Sequence, residues 1–216
     1  MTRTAFVSLA TLAFGSLVLG AGCGPKVTRN PWQGQILPLA KGASWTYNAT
    51  VVHYDQALGK EIKTSLTWTT TVVDVLPGDG VTAFIVKGWP NDLVASTGEK
   101  PLPTERVLLK SDDGFLWGHD RAATVTNSDG WFALPLQDGA QVCPDPSLPY
   151  CWAVAEKEGD YQLNYRSGPE EETYLLEPGR GVIKYDYTNS GTTDSVSVTL
   201  QKFEPGSPAP DEAAAP

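Results

Sequence analysis

Residues 183–200 of this 216-residue chain read IKYDYTNSGTTDSVSVTL. Apolar side chains occupy every second position at both ends of this stretch: Ile183, Tyr185 and Tyr187, then Val196, Val198 and Leu200. Alternation with period two is typical of a β-strand that buries one face and exposes the other. Asn189-Ser190-Gly191, between the two runs, has the composition of a turn. The stretch therefore predicts two antiparallel strands joined by a short connection.

The same alternation recurs in residues 45–51 and 161–166, turn-forming residues separate the runs, and no segment has a helical stripe. We therefore predict an all-β domain, an antiparallel meander that forms a curved sheet, half-barrel or barrel. The side chains expected to face its interior are Trp45, Tyr47, Val51, Tyr161, Leu163, Tyr165, Ile183, Tyr185, Val196, Val198 and Leu200. The neighbours expected to face water are Thr46, Gln162, Asn164, Lys184 and Ser197.

One eight-residue pattern occurs twice. Residues 36–43 (ILPLAKGA) resemble residues 133–140 (ALPLQDGA), and five of the eight positions agree. Proline followed by glycine at this spacing suits a turn that begins a strand. The repeat is compatible with two related halves and also with coincidence.

Residues 1–22 have the form of an export signal. Arg3 is basic, and the uncharged apolar run 5–19 is shorter than the about 20 residues that cross a bilayer. Leu19-Gly20-Ala21-Gly22-Cys23 resembles the lipobox of bacterial lipoproteins, with the leucine one position further from the cysteine than that family prefers. The resemblance implies that Cys23 becomes the first residue and carries a diacylglyceryl thioether and an N-acyl chain such as palmitate. The alternative is a secreted protein cut near Ala21 or Gly22.

A lipid on Cys23 would anchor the protein to a membrane of the cell envelope, because two or more acyl chains attach a protein stably. Gly24 follows the cysteine, where many enterobacterial lipoproteins retained at the inner membrane have aspartate. The resemblance therefore favours the outer membrane. We expect residues 23–35 to form a tether, residues 36–203 the β domain and the proline-rich residues 204–216 a disordered tail.

The chain has three cysteines, so lipidation of Cys23 leaves Cys143 and Cys151 as a pair. Exported proteins meet oxidising conditions, and we predict a disulfide between these two. The alternative, metal binding, would need two to four intervening residues and further ligands nearby. Seven residues intervene, three of them proline.

Composition excludes some functions. Of the 16 basic and 25 acidic residues only Arg3 lies within the signal, which leaves 15 against 25 and a net charge of −10. An acidic surface argues against nucleic-acid binding. The two histidines, His53 and His119, have no motif partner, and neither a Gly-x-Ser-x-Gly nor a His-Glu-x-x-His motif occurs. We therefore expect no catalytic residues, no metal site and no cofactor.

Tryptophans are spread over the domain at about one per strand or hairpin. Core packing is the first interpretation of each, and contact with a ligand is the second. Trp89 precedes a proline and Trp131 follows a glycine, which places both near the ends of elements, where ligand contacts tend to occur. They are the candidate ligand-binding residues.

The opening Leu37-Pro38-Leu39, Gly42, Trp45 and Tyr47 resembles the start of many uncharacterised bacterial lipoproteins, a PLxxGxxWxY pattern. Residues 178–185 (PGRGVIKY) resemble their closing hairpin. Families of this kind are similar to half-β-barrel carriers of lipoproteins and lipids in the envelope. The resemblance implies a curved antiparallel sheet and is weak evidence for function.

Two hypotheses of function follow. The first is a non-catalytic envelope lipoprotein that binds an apolar ligand or a protein partner in its curved sheet. The second is a structural or interaction module whose core is filled and which holds no ligand. A third, an envelope hydrolase, would require converging histidine and carboxylate side chains.

Overall fold

The computed structural model describes residues 32, 34–78, 80–94, 101–122, 124, 126–144, 147–192 and 194–207. Cys23, the predicted signal 1–22 and residues 208–216 of the predicted tail lie outside the described residues. The described part contains one 3-10 helix, Pro90–Leu93, and twelve strands: β1 Ser44–Asp55, β2 Lys60–Pro77, β3 Val81–Lys87, β4 Glu105–Ser111, β5 Gly114–Gly118, β6 Ser128–Ala133, β7 Gln141–Val142, β8 Trp152–Lys157, β9 Asp160–Ser167, β10 Glu170–Glu177, β11 Gly181–Asn189 and β12 Asp194–Glu204.

All twelve strands belong to one antiparallel sheet, which confirms the predicted fold class. Strands that follow each other in sequence pair with each other, except β6 and β7, and β1 also pairs with β12 from Ser44↔Glu204 to Val52↔Ser195. The sheet curls until β6 and β7 face each other, and these two strands form the seam of a nearly closed barrel. At the seam the rings of Trp131 and Trp152 lie 6.3 Å apart, centroid to centroid.

The two copies of the sequence repeat form the same local structure. In the first, the amide of Gly42 donates to the carbonyl of Val72 on β2, and the amide of Val72 donates to Ala43, both at 2.9 Å. In the second, Gly139 and Ala140 make the same two bonds to Val154 on β8, also at 2.9 Å. The first copy leads into β1 and the second into β7, so the barrel consists of two six-stranded meanders that begin alike.

The interior matches most of the predicted core. Every residue predicted to face inward except Ile183 packs in or against one apolar cluster inside the barrel. Lys184 and Ser197 are exposed as predicted, and Thr46, Gln162 and Asn164 are partly exposed.

The prediction for Ile183 is wrong. Between β10 and β11 the register shifts, because Lys184 pairs with Leu175 while Val182 pairs with the next residue, Leu176. The extra residue on β11 forms a β-bulge, which changes the face to which a side chain points. Val182 therefore enters the core, and Ile183 is only half-buried and lies outside the core cluster.

Since the strands alternate in direction, their connections lie at two ends of the barrel. We call one the N-side end; it comprises residues 34–43, 112–113, 134–140, 158–159, 178–180 and 205–207, with Gly78 and Gly80. The other, the far end, holds the β3–β4 connection with its 3-10 helix and the connection between β7 and β8. Within the segment predicted as a tether, Trp32 is buried, and the Gln35 carbonyl accepts a hydrogen bond from the amide of Gly179 (2.7 Å).

Candidate functional site

The centre of the barrel is filled by aromatic side chains. Trp131 is in ring contact with Trp89 (5.6 Å between centroids), Trp117 (5.0 Å) and Tyr174 (5.4 Å). Trp152 packs on Tyr174 at 5.6 Å, and Tyr174 on Tyr185 at 4.7 Å. These rings come from both six-stranded halves, so the aromatic cluster joins the two halves across the interior.

Trp89 and Trp131, the predicted ligand-binding residues, both belong to this cluster. Their exposed fractions are 2% and 0%. The indole nitrogen of Trp89 donates to the hydroxyl of Tyr174 (3.3 Å), whereas that of Trp131 is buried and has no hydrogen-bond partner among the described residues. The structure thus brings the two tryptophans together at the centre of the barrel, and contact of either with a ligand stays a prediction.

A first cleft lies at the N-side end, between the two copies of the repeat; we call it the inter-repeat cleft. Its volume is about 420 Å³. Ile36 and Leu37 line it from the first copy and Leu134 and Leu136 from the second, and the rings of Phe115 and Tyr161 complete an apolar wall.

A second cleft, of about 690 Å³, lies on the other side of the first repeat; we call it the hairpin cleft. It is bounded by the turn between β2 and β3 and the turn between β4 and β5. Most of its lining is again apolar, from Leu39, Val75, Val81 and Phe84, while Asp112 lies on its wall. Both clefts fall within the range of about 300–1,000 Å³ that is usual for small-molecule sites.

Lys110 is common to both clefts. It lies on β4, directly opposite Phe115 of β5, and it is half-buried. The other lysine at the hairpin cleft, Lys41, forms an ion pair with Asp74 (2.9 Å), and this hydrogen bond lowers the pKa of the Asp74 carboxyl. Lys110 makes no ion pair with any described residue. The N-side end therefore offers two apolar clefts with one uncompensated positive charge between them.

Lys110 was not among the sequence-derived candidates, and the reason lies in β4. Val107, Leu108 and Leu109 form a continuous apolar run, so alternation cannot show which face of this strand is buried. In the structure both faces are covered: Leu108 belongs to the interior cluster, and Val107 and Leu109 pack with Ile85 in a small cluster on the outer face.

Polar side chains hold the β3–β4 connection at the far end. The buried carboxylate of Asp92 accepts hydrogen bonds from the amide (2.9 Å) and the hydroxyl (2.7 Å) of Thr104 and pairs with the guanidinium of Arg106 (2.8 Å). Each oxygen of Asp92 thus has a partner, as a buried charge requires. The network fixes the loop that carries Trp89.

Glu172 is a second ionisable group in the barrel wall, on β10. Burial, with a smaller contribution from the nearby Glu170, raises the pKa of its carboxyl to about 7, and Tyr185 and Arg106 oppose the shift. A carboxyl with such a pKa is an acid–base candidate only when a nucleophile or substrate site lies beside it. The groups beside Glu172 are those of the tyrosine-rich wall, Tyr174, Tyr185 and Tyr187.

The histidines do not form a site. His119 is exposed, and hydrogen bonds and charge from Asp129 raise the pKa of its imidazole. His53 lies on β1, four strands away from β5, and His119 directly follows β5. Within the described ranges, no group of three or more His, Cys, Asp or Glu side chains is arranged to hold a metal ion. Nor does any helix in that part of the chain have the length and hydropathy to cross a membrane.

The predicted disulfide is present. Cys143 and Cys151 are bonded, with their Cα atoms 4.0 Å apart, and they close the connection between β7 and β8 at the far end. The bond lies next to the seam, since β7 consists of only two residues before Cys143.

No protein-family model matches this chain, and no curated protein sequence matches it. Two solved structures are similar to it over 78% of its length and 98% of theirs. One is a candidate exported protein with a YmcC-like fold from Bacteroides fragilis, with 12% identity and a TM-score of 0.43. The other is a candidate lipoprotein from Parabacteroides distasonis, with 9% identity and a TM-score of 0.35. Likeness at this level says nothing about function.

Proposed function

We propose that this protein is a non-catalytic lipoprotein of the bacterial cell envelope, attached through acyl chains on Cys23, and that it binds an apolar ligand at the N-side end of its barrel. The observation that carries this proposal is the pair of apolar clefts beside the first repeat. The ligand site is therefore assigned to the end of the barrel and not to its interior, which aromatic side chains fill.

Attachment through Cys23 also favours a ligand site at the N-side end. Gly34 and Gln35 line the inter-repeat cleft, and Cys23 precedes Gly34 by eleven residues. An extended segment of that length reaches at most about 40 Å. Acyl chains on Cys23 would thus hold the N-side end within about 40 Å of the bilayer, from which an apolar ligand can be taken up. Export and attachment to the outer membrane belong to this proposal and rest on the sequence around Cys23.

A second candidate function is an interaction module that holds no ligand. The filled aromatic interior favours it, because a barrel packed with its own side chains needs no ligand for stability. The two candidates differ in what the N-side end contains in the cell.

Native mass spectrometry of the full-length protein, purified from its own membranes, separates them. We expect a bound apolar molecule in the wild type and less of it in Leu134→Asn, which places a polar group in the inter-repeat cleft. Leu58→Asn is the matched control, since Leu58 is exposed at the far end. A wild-type protein that carries no molecule beyond its covalent lipid, and that binds no apolar dye, would leave the interaction module as the function.

The anchor has its own test. Cells are labelled with a fatty-acid analogue, and the wild type is compared with Cys23→Ala. We expect label on the wild type only, whereas equal labelling of both proteins would contradict lipidation of Cys23.

A further inference from the structure

We infer that the ligand is a single-chain amphiphile with a monoanionic head, such as a fatty acid, and that Lys110 binds this head. The inference rests on the proposed function, since it names the ligand of the same clefts. It depends on three observations: the position of Lys110, the absence of an ion-pair partner for it among the described residues, and the charge around it.

The register of the sheet determines the position of Lys110. It is opposite Phe115 on one side and Thr82 on the other, and two residues along β4 from the buried Leu108. Since residues two apart on a strand share a face, Lys110 lies on the interior face of β4 at its N-side end. This position explains why Lys110 lines both clefts, whose apolar walls include Phe84 and Phe115.

Lys110 lies beside apolar walls and has no ion-pair partner among the described residues. It is half-buried, and withdrawing part of a charged side chain from water costs free energy that a partner of opposite charge offsets. Lys41 shows the ordinary solution nearby, an ion pair with Asp74 at 2.9 Å. Lys110 has no such carboxylate among the described residues, and an anionic head from a ligand would supply one.

The surrounding charge limits which anion fits. The mature chain has a net charge of −10, counted as 15 basic and 25 acidic residues, and Asp112 lines the hairpin cleft together with Lys110. Repulsion from these carboxylates disfavours a head with several negative charges. A single unpaired lysine near Asp112 suits a monoanion, and the inter-repeat cleft, apolar and of about 420 Å³, suits one acyl chain.

The test uses the full-length protein purified from its membranes in four forms: wild type, Lys110→Gln, Lys110→Arg and Lys60→Gln. Lys60 is the control, because it is exposed at the far end of the barrel and lines neither cleft. Native mass spectrometry gives the mass and amount of the bound molecule. A photoreactive long-chain fatty acid and its methyl ester are then offered to each form, and cross-linking is measured. We expect a fatty-acid mass on the wild type and cross-linking by the acid well above that by the ester.

Lys110→Gln should reduce binding of the acid by about tenfold or more, the factor that corresponds to one charge-assisted hydrogen bond. Lys110→Arg and Lys60→Gln should retain it. Equal binding of acid and ester, binding that is unchanged in Lys110→Gln, or a bound two-chain phospholipid would overturn the inference and leave the apolar site in place. A wild-type protein that binds neither probe and carries no molecule would instead overturn the proposed function.

Discussion

At the scale of single residues, several core aromatics of the first half have polar atoms that reach a particular backbone carbonyl. The hydroxyl of Tyr47 donates to Val182 (3.1 Å), the indole nitrogen of Trp45 to Arg180 (2.5 Å) and that of Trp68 to Gly88 (2.8 Å). The bonds of Tyr47 and Trp45 connect β1 to the start of β11 and to the turn before it. β11 is not a neighbour of β1 in the sheet. They orient the rings as well as satisfying buried polar atoms.

Tyr47→Phe tests this role, because it removes the hydroxyl and keeps the ring. We expect a loss of about 0.5–1.5 kcal/mol in the free energy of unfolding, the usual net value of one hydrogen bond. Denaturant unfolding measures it, with Tyr54→Phe as control, since Tyr54 is 46% exposed. Equal effects of the two substitutions would contradict a role for the Tyr47 hydroxyl.

The raised pKa of Glu172 predicts how the free energy of unfolding depends on pH. Its folded-state pKa of about 7 lies above the ordinary glutamate value, so the folded protein binds this proton more tightly than the unfolded chain. Its contribution is therefore most favourable below the unfolded pKa and is lost as the pH rises through about 7. Glu172→Gln should remove this dependence and raise the stability at pH 8 relative to the wild type by about 1–3 kcal/mol.

Urea unfolding of both proteins at pH 5 and pH 8 measures this change. Glu171→Gln is the control, because Glu171 is exposed and its side chain pairs with Arg166 at the surface. A difference between wild type and Glu172→Gln that is the same at both pH values would refute the assignment.

At the scale of elements, the start of β11 depends on glycine. Gly181 has a φ of +80°, and a Cβ atom there would lie 3.2 Å from the indole nitrogen of Trp45 and 3.3 Å from Pro38. The closing hairpin motif and the opening Pro-Leu and Trp motif therefore meet in space at this glycine. Both motifs carry the resemblance to uncharacterised bacterial lipoproteins. In the structure they pack on each other.

Gly181→Ala should destabilise the protein by about 2–4 kcal/mol, since it combines a left-handed backbone with a crowded position. Gly168→Ala separates the two causes, because Gly168 also has a positive φ, +59°, but has open space around it. We expect only about 1–2 kcal/mol there. Thermal or denaturant unfolding that gives equal losses for both variants would exclude the packing contribution at Gly181.

At the scale of the whole molecule, the seam has an explanation in the strand order. Moving six strands around the barrel takes β1 to β7 and β12 to β6, so the β6–β7 seam is the counterpart of the β1–β12 junction. In the first half β1 has twelve residues, whereas β7 ends after Val142, where the disulfide loop begins. A strand of two residues cannot form the long ladder that its counterpart forms, and the barrel stays open there.

Hydrogen exchange should report this asymmetry. Amides in β6 and β7 are expected to exchange faster than those in β1 and β12, because exchange is fast where few backbone hydrogen bonds must break. Mass spectrometry of peptides covering the four strands compares seam and junction within one molecule. Equal protection at both places would mean that the seam is closed in solution.

The sequence alone determined the strands that bury one face. In residues 45–51, 161–165 and 196–200 a period of two is a local property, and a slip of one residue would have turned every apolar side chain outward. It also indicated which cysteines pair, and it contained the repeat whose two copies make the same hydrogen bonds.

Only the tertiary structure decided the rest. Ile183 left the core because a bulge in β11 depends on its pairing with β10, and the inward face of β4 depends on an outer cluster contributed by other strands. The two clefts, and the position of Lys110 between them, arise where segments distant in sequence meet. Residues 36–41 lie against the turns of the first half in one cleft and against residues 134–136, in the second copy of the repeat, in the other. Such juxtapositions have no local signal, because periodicity describes the face of a strand and not what the fold places opposite it.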